Sequence, residues 1–186
     1  MMRNRYIGVI LLAALGLTVS QQLYSREIAD DDEVLRIQKQ LRRELTAIKG
    51  RQVAFFVYMS QNVLINTISK YKTFVYDRVE TNVGNGYNVQ TGNFTAPESG
   101  IYVFHTTTAA VDKSHSTIEI VANGQVKDIT WADAMDHNDR AVASSMTVPS
   151  LTEGDVVYVR VGLLFAGNYL ESNQYTRMSF SGFKLA

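Results

Sequence analysis

The chain of 186 residues has no cysteine, only two prolines, and 18 basic residues against 18 acidic ones. Without cysteine there is no disulfide scaffold, no thiol nucleophile and no cysteine-ligated zinc. Balanced charge argues against nucleic acid as a partner, because displacing counterions from phosphates takes a basic face. The same argument speaks against adhesion to anionic membranes. Motifs of chemistry are absent too: there is no glycine-rich phosphate loop, no nucleophile elbow and no metalloprotease pair of histidines. An enzyme is not expected. What is present is an average hydrophobic content of 46%, enough for a packed core without disulfides.

The N-terminus is short and basic through Arg5, then apolar over residues 6–19, with the small residues Thr18 and Ser20 just before Gln21. These are the three regions of a secretory signal peptide, assigned to residues 1–20. The competing reading is a signal anchor, but a membrane span needs about 20 apolar residues and this run is shorter. Either way the rest of the chain lies outside the cytosol, and after cleavage it is secreted with no membrane insertion. Loss of Arg3 and Arg5 then leaves 16 basic residues against 18 acidic, a net charge of −2.

Residues 21–50 form an N-terminal segment with a helix in it. Asp30, Asp31 and Asp32 open that helix, where carboxylates satisfy free N–H groups and oppose the dipole; Asp30 and Glu33 have capping-box spacing. Val34, Leu41 and Ile48 recur every seven residues, with Gln38 and Leu45 at the complementary seam, and Lys49-Gly50 closes the segment. Two heptads read as a short coiled-coil stalk, which gains stability from neighbouring chains because isolated helices of this length are marginal. A helix packed on its own domain is the alternative.

From residue 51 to 186 the pattern is β. Strand-like runs fall at 53–59, 74–79, 101–111, 117–122, 144–148, 156–165 and 178–185, separated by turn chemistry such as Asn85-Gly86, Asn123-Gly124 and Glu153-Gly154-Asp155. Many short strands with no helix-period segment among them predict an antiparallel sandwich or barrel. Residues 53–59 do not alternate, so both faces of that strand call for burial, in a central position or at a subunit contact. Near the C-terminus Met178 and Phe180 share a phase that Phe183 and Leu185 do not, which predicts a bulge or bend at Gly182.

The residues Tyr76-Asp77-Arg78-Val79, Asn82-Val83-Gly84, Tyr87, Thr91-Gly92, Phe94, Pro97, Gly100, Tyr102 and Phe104 together resemble the signature of the complement C1q globular domain family. Gly154-Asp155-Val156-Val157-Tyr158-Val159 and Ser179-Phe180-Ser181-Gly182-Phe183-Lys184-Leu185 are similar to its last two strands. The resemblance implies an all-β, ten-stranded jelly-roll β-sandwich related to tumour necrosis factor and assembled as a homotrimer. No collagen Gly-X-Y tract precedes the domain, so stems of that kind are excluded. The short coiled-coil helix stands in their place.

Three groups of residues are candidates for binding. Asp133, Asp136 and Asp139 form a cluster of hard oxygen ligands suited to calcium. The resemblance places Asp133 near a calcium ligand of some family members, while Ala141 stands at the second acidic position; a solvated acidic loop is the alternative. Asn168, Tyr169, Asn173 and Tyr175 carry amides and phenols suited to sugar hydroxyls, on the kind of loop where binding resides. Asn93 opens the sequon Asn93-Phe94-Thr95, an N-glycosylation acceptor. Trp131, the single tryptophan, is expected in the core or at a subunit contact, and His105 as a packed residue of an apolar strand.

The resemblance implies a secreted, lectin-like pattern-recognition protein of innate immunity that binds glycans or microbial surfaces. A trimeric signalling ligand for a receptor protein is the alternative, and an extracellular-matrix component a third reading. N-terminal sequencing of the secreted product is expected to begin at or close to Gln21; a start before residue 15 would contradict the signal-peptide assignment.

Overall fold

The computed structural model describes residues 31–185 apart from 51 and 137, and for 31–33 and 48–50 the backbone alone. The expected signal peptide, the Asp30–Glu33 cap, the Ile48 side chain and His137 lie outside the described residues. The chain divides into two units that meet between Lys49 and Gly50. The first carries one helix, α1 (Asp31–Gly50). On it Leu41 and Leu45, both expected at the seam, are exposed, and Val34 and Gln38 are half-buried.

The second unit is built of thirteen ladder segments. They are β1 (Ala54–Tyr58), β2 (Val63–Leu64), β3 (Arg78–Val83), β4 (Tyr87–Asn88), β5 (Asn93–Thr95), β6 (Gly100–Val111), β7 (His115–Ala122), β8 (Gln125–Asp133), β9 (Arg140–Thr147), β10 (Ser150–Leu151), β11 (Val156–Ala166), β12 (Tyr169–Glu171) and β13 (Ser179–Lys184). Without the two-residue pieces β2, β4 and β10, ten of the thirteen remain. One sheet runs β2-β12-β6-β13-β1-β3, with β9 and β10 pairing the other edge of β6; the second runs β4-β5-β11-β7-β8. All pairs are antiparallel, as expected of a two-sheet sandwich.

Most of the anticipated strands are found; β5 and β12 were not anticipated, β9 begins at Arg140 rather than at Ser144, and two further differences carry a physical reason. The run 74–79 is only partly a strand: Phe74 and Tyr76 are buried, but ladder pairing with β1 starts at Arg78. Residues 125–133 were not anticipated. They form β8, an edge strand whose polar and charged residues mask the β pattern, and the hairpin anticipated at Asn123-Gly124 joins it to β7. Both residues of that turn have positive φ, 50° and 77°, as such a tight hairpin demands.

The core between the sheets is aromatic. Phe55 stacks on Phe94 at 5.0 Å and meets Phe180 edge-on at 4.9 Å, while Phe94 is 5.3 Å from Phe104. Each such side chain contributes about 1.5–3 kcal/mol through burial alone. At one edge Ser145 of β9 hydrogen-bonds Asp128 of β8, linking the two sheets across the sandwich.

Gly182 corrects the expectation of a bulge. β13 pairs without a register shift to both β1 and β6, and Gly182 lies on the core face in line with Phe180. A Cβ there would stand 2.6 Å from the Phe104 ring and 2.8 Å from the Phe55 ring. The apparent phase slip arises because Phe183 and Leu185 face outward and are exposed. Gly182→Ala is therefore expected to cost about 1–3 kcal/mol, the usual range for overpacking a core, read as a lower denaturant midpoint. An unchanged midpoint would show that the two rings can step aside.

The outward face of the eight-stranded sheet is also apolar. Register sets Phe56 of β1, Val103 of β6, Met146 of β9 and Phe183 of β13 on this face. Phe56, Ile101, Val142, Met146 and Phe183 are 37–60% exposed. Phe56 is the residue that the non-alternating run at 53–59 leaves outside.

Candidate functional site

At one end of the sandwich three connections converge: the β6–β7 turn, the β8–β9 loop and the segment around β12. Asp112 and Lys113 make the first turn with φ of 50° and 58°, a left-handed conformation unusual for residues with a Cβ. Ser114 beneath them is fully buried, and its hydroxyl accepts N–H groups of Asn168 at 2.8 Å and Tyr169 at 3.3 Å. The Ser114 carbonyl accepts the N–H of Ala134 at 2.9 Å. One serine thus ties all three connections together.

The polar side chains gathered above it form a network. Arg140, first residue of β9, places its guanidinium in a two-pronged contact with Glu171 of β12, one prong at 2.9 Å. Glu171 is nearly inaccessible, at 3% exposure, and takes a further hydrogen bond from the Asn173 amide at 2.8 Å. The Arg140 guanidinium also lies over the Tyr175 ring, 5.6 Å from its centroid. The Tyr169 hydroxyl donates to the Asp112 carboxylate at 3.3 Å, and the Asn168 amide donates to the Asp112 carbonyl at 3.0 Å. Between these groups is a small polar pocket of about 100 Å³, lined by Val111, Asp112, Asn138, Asp139, Arg140, Tyr169 and Glu171.

Electrostatics follow the contacts. The Arg140 hydrogen bonds hold the Glu171 carboxyl below the usual carboxylate range, against the opposing effect of burial. Burial, with the Asp112 carboxylate next in weight, pushes the Tyr169 phenol up. At neutral pH the pocket therefore offers carboxylates as acceptors, a guanidinium and an amide as donors, and a neutral phenol.

The structure unites two groups that the sequence listed separately. Asp139 and Tyr169 line one pocket, with Asn168, Asn173 and Tyr175 bonded to or stacked on its walls. Asp133 and Asp136 are not among the lining residues. Asp133 ends β8, exposed, and accepts the Met135 N–H at 3.0 Å. Asp136 is exposed in the loop after it. Among the described residues no group of three Asp, Glu or His side chains is placed to hold a metal ion. Asn93 starts β5 on the face opposite buried Phe94 and is half-buried.

Trp131 is not in the core. It lies on β8, opposite Thr117, half exposed and edge-on to His115 at 5.9 Å between centroids. Sequence reading missed Asp112, Arg140 and Glu171. Glu171 ends β12 beside buried Leu170, but its pairing with a residue 31 positions earlier exists only through the β6–β9 and β6–β12 ladders.

Because the lowered Glu171 carboxyl stabilises the fold above its ordinary pKa of about 4.3, that contribution is lost as the pH falls through the lowered value. Glu171→Gln is expected to melt below the wild type at neutral pH and to approach it in strong acid, by calorimetry across pH. A gap that persists undiminished in acid would contradict the pairing.

The C1q domain family model matches residues 54–185. The chain is 30% identical over 147 residues to the heavy metal-binding protein HIP of Mytilus edulis, covering 79% of this chain and 67% of that one. It is 31% identical over 108 residues to the complement C1q tumor necrosis factor-related protein 2 of Mus musculus, covering 58% of this chain but 36% of that protein, so it spans about a third of that relative's length. Among solved structures it is similar to the globular domain of zebrafish complement 1qA protein, with a TM-score of 0.56 at 16% identity, covering 73% of this chain and 98% of that one. It is also similar to Eiger TNF from S. frugiperda, with a TM-score of 0.53 at 12% identity, covering 73% and 93%. At such identities the structural likeness speaks to the fold alone.

Proposed function

The chain belongs to the C1q domain family, a non-enzymatic family whose members typically trimerise, and we propose that it is a secreted homotrimer that recognises glycans of microbial surfaces in innate defence. The observation that carries this reading is the pocket between Asp112, Asp139, Arg140 and Tyr169. Carboxylates, an amide, a guanidinium and a phenol on converging connections of a rigid sandwich match the alternating donors and acceptors of sugar hydroxyls. A shallow pocket of this size holds part of one sugar ring, so a single site is weak. Three sites at fixed spacing gain by avidity, by about 100-fold or more over one.

Two parts of the proposal stand apart from the pocket. The apolar outward face of the eight-stranded sheet is the surface that copies of the chain would bury in the trimer, with the seam of α1 joining them as a stalk. Calcium bound by Asp133, Asp136 and Asp139 is a second part; equal melting temperatures in excess calcium and in chelator would remove it. No described helix is long and apolar enough to cross a membrane.

The signalling alternative draws on the mammalian relatives, named for complement C1q and tumor necrosis factor. The deciding experiment is a glycan and bacterial-polysaccharide array probed with the protein from Gln21 onward, with calcium and with chelator. Binding that free sugar competes away, and that Tyr169→Phe weakens about tenfold for a lost hydrogen bond to ligand, is the expected result. A folded trimer that binds nothing on the array would favour the receptor reading.

A further inference from the structure

The outward face of the eight-stranded sheet holds one histidine. His105 is on β6, and the register places Met146 of β9 on one side of it and Ser181 of β13 on the other, with Phe56 of β1 and Thr81 of β3 continuing the row. The row on one side of it runs Val103, Phe183, Ala54 and Val83. The row on the other side runs Ser144, Thr107, Ser179, Tyr58 and Arg78. The strands flanking His105, β9 and β13, thus face it with no charged group. Ionisable groups enter at Tyr58, whose ring has the Arg177 guanidinium 4.1 Å above it, at Arg78, which Asp77 pairs at 3.7 Å, and at Glu80 in the β3 bulge; farther along the face stand Arg140 of β9 with Tyr169 and Glu171 of β12. Lys184 at the end of β13 is engaged by Glu98 at 2.9 Å.

We infer that His105 makes assembly of this chain acid-sensitive: the neutral imidazole is accepted in the buried face, and its protonated form drives the copies apart. The inference rests on the homotrimer reading above. A neutral imidazole can hydrogen-bond a serine hydroxyl and otherwise packs as an aromatic ring. An imidazolium placed among Met146, Phe56 and Val103 on assembly loses its water and gains no counter-charge. Symmetry repeats that cost in every copy, and like charges brought into one interface repel as well. Arg177, over the Tyr58 ring, adds a further positive charge beside the face, whereas Arg78 is paired with Asp77. The separated chain has no such objection to the proton, because the face is then open to water. Assembly therefore binds fewer protons than the separated chains and weakens as the pH falls through the range in which histidine side chains change charge.

The test is sedimentation velocity of the protein from Gln21 onward at about pH 7.5 and about pH 5.5, on either side of that range, over a dilution series, for wild type, His105→Gln and His105→Phe. Far-UV circular dichroism at both pH values establishes that the chains stay folded. The wild type is expected to dissociate at least about tenfold more readily in acid, and both variants to sediment as the same assembly at both pH values. Two outcomes would overturn the inference while leaving the trimer intact: a wild type equally associated at both pH values, or variants that lose assembly in acid as the wild type does. A wild type that is monomeric even at the higher pH would overturn the trimer reading, and the inference with it.

Discussion

The eight-stranded sheet has apolar side chains on both faces, and the second sheet covers only one of them. On the inner face Phe55, Phe104 and Phe180 interlock with Phe94 from the opposite sheet, and Gly182 provides the space into which two of those rings fit. On the outer face the same strands present Phe56, Val103, Met146 and Phe183. An antiparallel sheet normally meets water on one side, and an apolar surface of this extent calls for a partner. With no disulfide to stiffen it, the domain rests on the core under the inner face, and the outer face is the surface proposed for assembly.

The binding reading depends on the same strands. β6 is long enough to pair β9 and β10 along one edge and β12 and β13 along the other, so its far end carries both walls of the polar pocket. Arg140 arrives at that end on β9 and Glu171 on β12, and the buried Ser114 hydroxyl fixes the turn between them. Recognition at the far end of β6 and assembly on the flat face are thus two uses of one strand, with Arg140, Tyr169 and Glu171 at the end of the outward side on which Val142 also lies.

Much of this was legible beforehand. The aromatic, glycine and asparagine positions of the family signature fix turns and core contacts that hold whatever the surface does, and they gave the fold. The residues of the pocket were half legible: Asn168, Tyr169, Asn173 and Tyr175 stood out by composition, and Asp139 by its acidic neighbours. Arg140 and Glu171 did not, because an isolated arginine and glutamate read as surface charge until ladder register brings them together. β8 was hidden for a related reason. An edge strand with one wet face carries Lys127, Asp128 and Asp133, and so loses the apolar run by which buried strands declare themselves. Of the two places expected for Trp131, the core is not the one it takes: its position on that edge strand leaves it half open in the single chain.

The central claim is that the outer face of the eight-stranded sheet is covered by other copies of this chain. Its most direct test is the particle mass at neutral pH, by sedimentation equilibrium, of the protein from Gln21 onward beside a Met146→Glu variant, which places a carboxylate in the middle of that face without touching the core. The account predicts three times the chain mass for the first and the mass of a single folded chain for the second. A wild type of single-chain mass, or a variant that still assembles as firmly as the wild type, would contradict it.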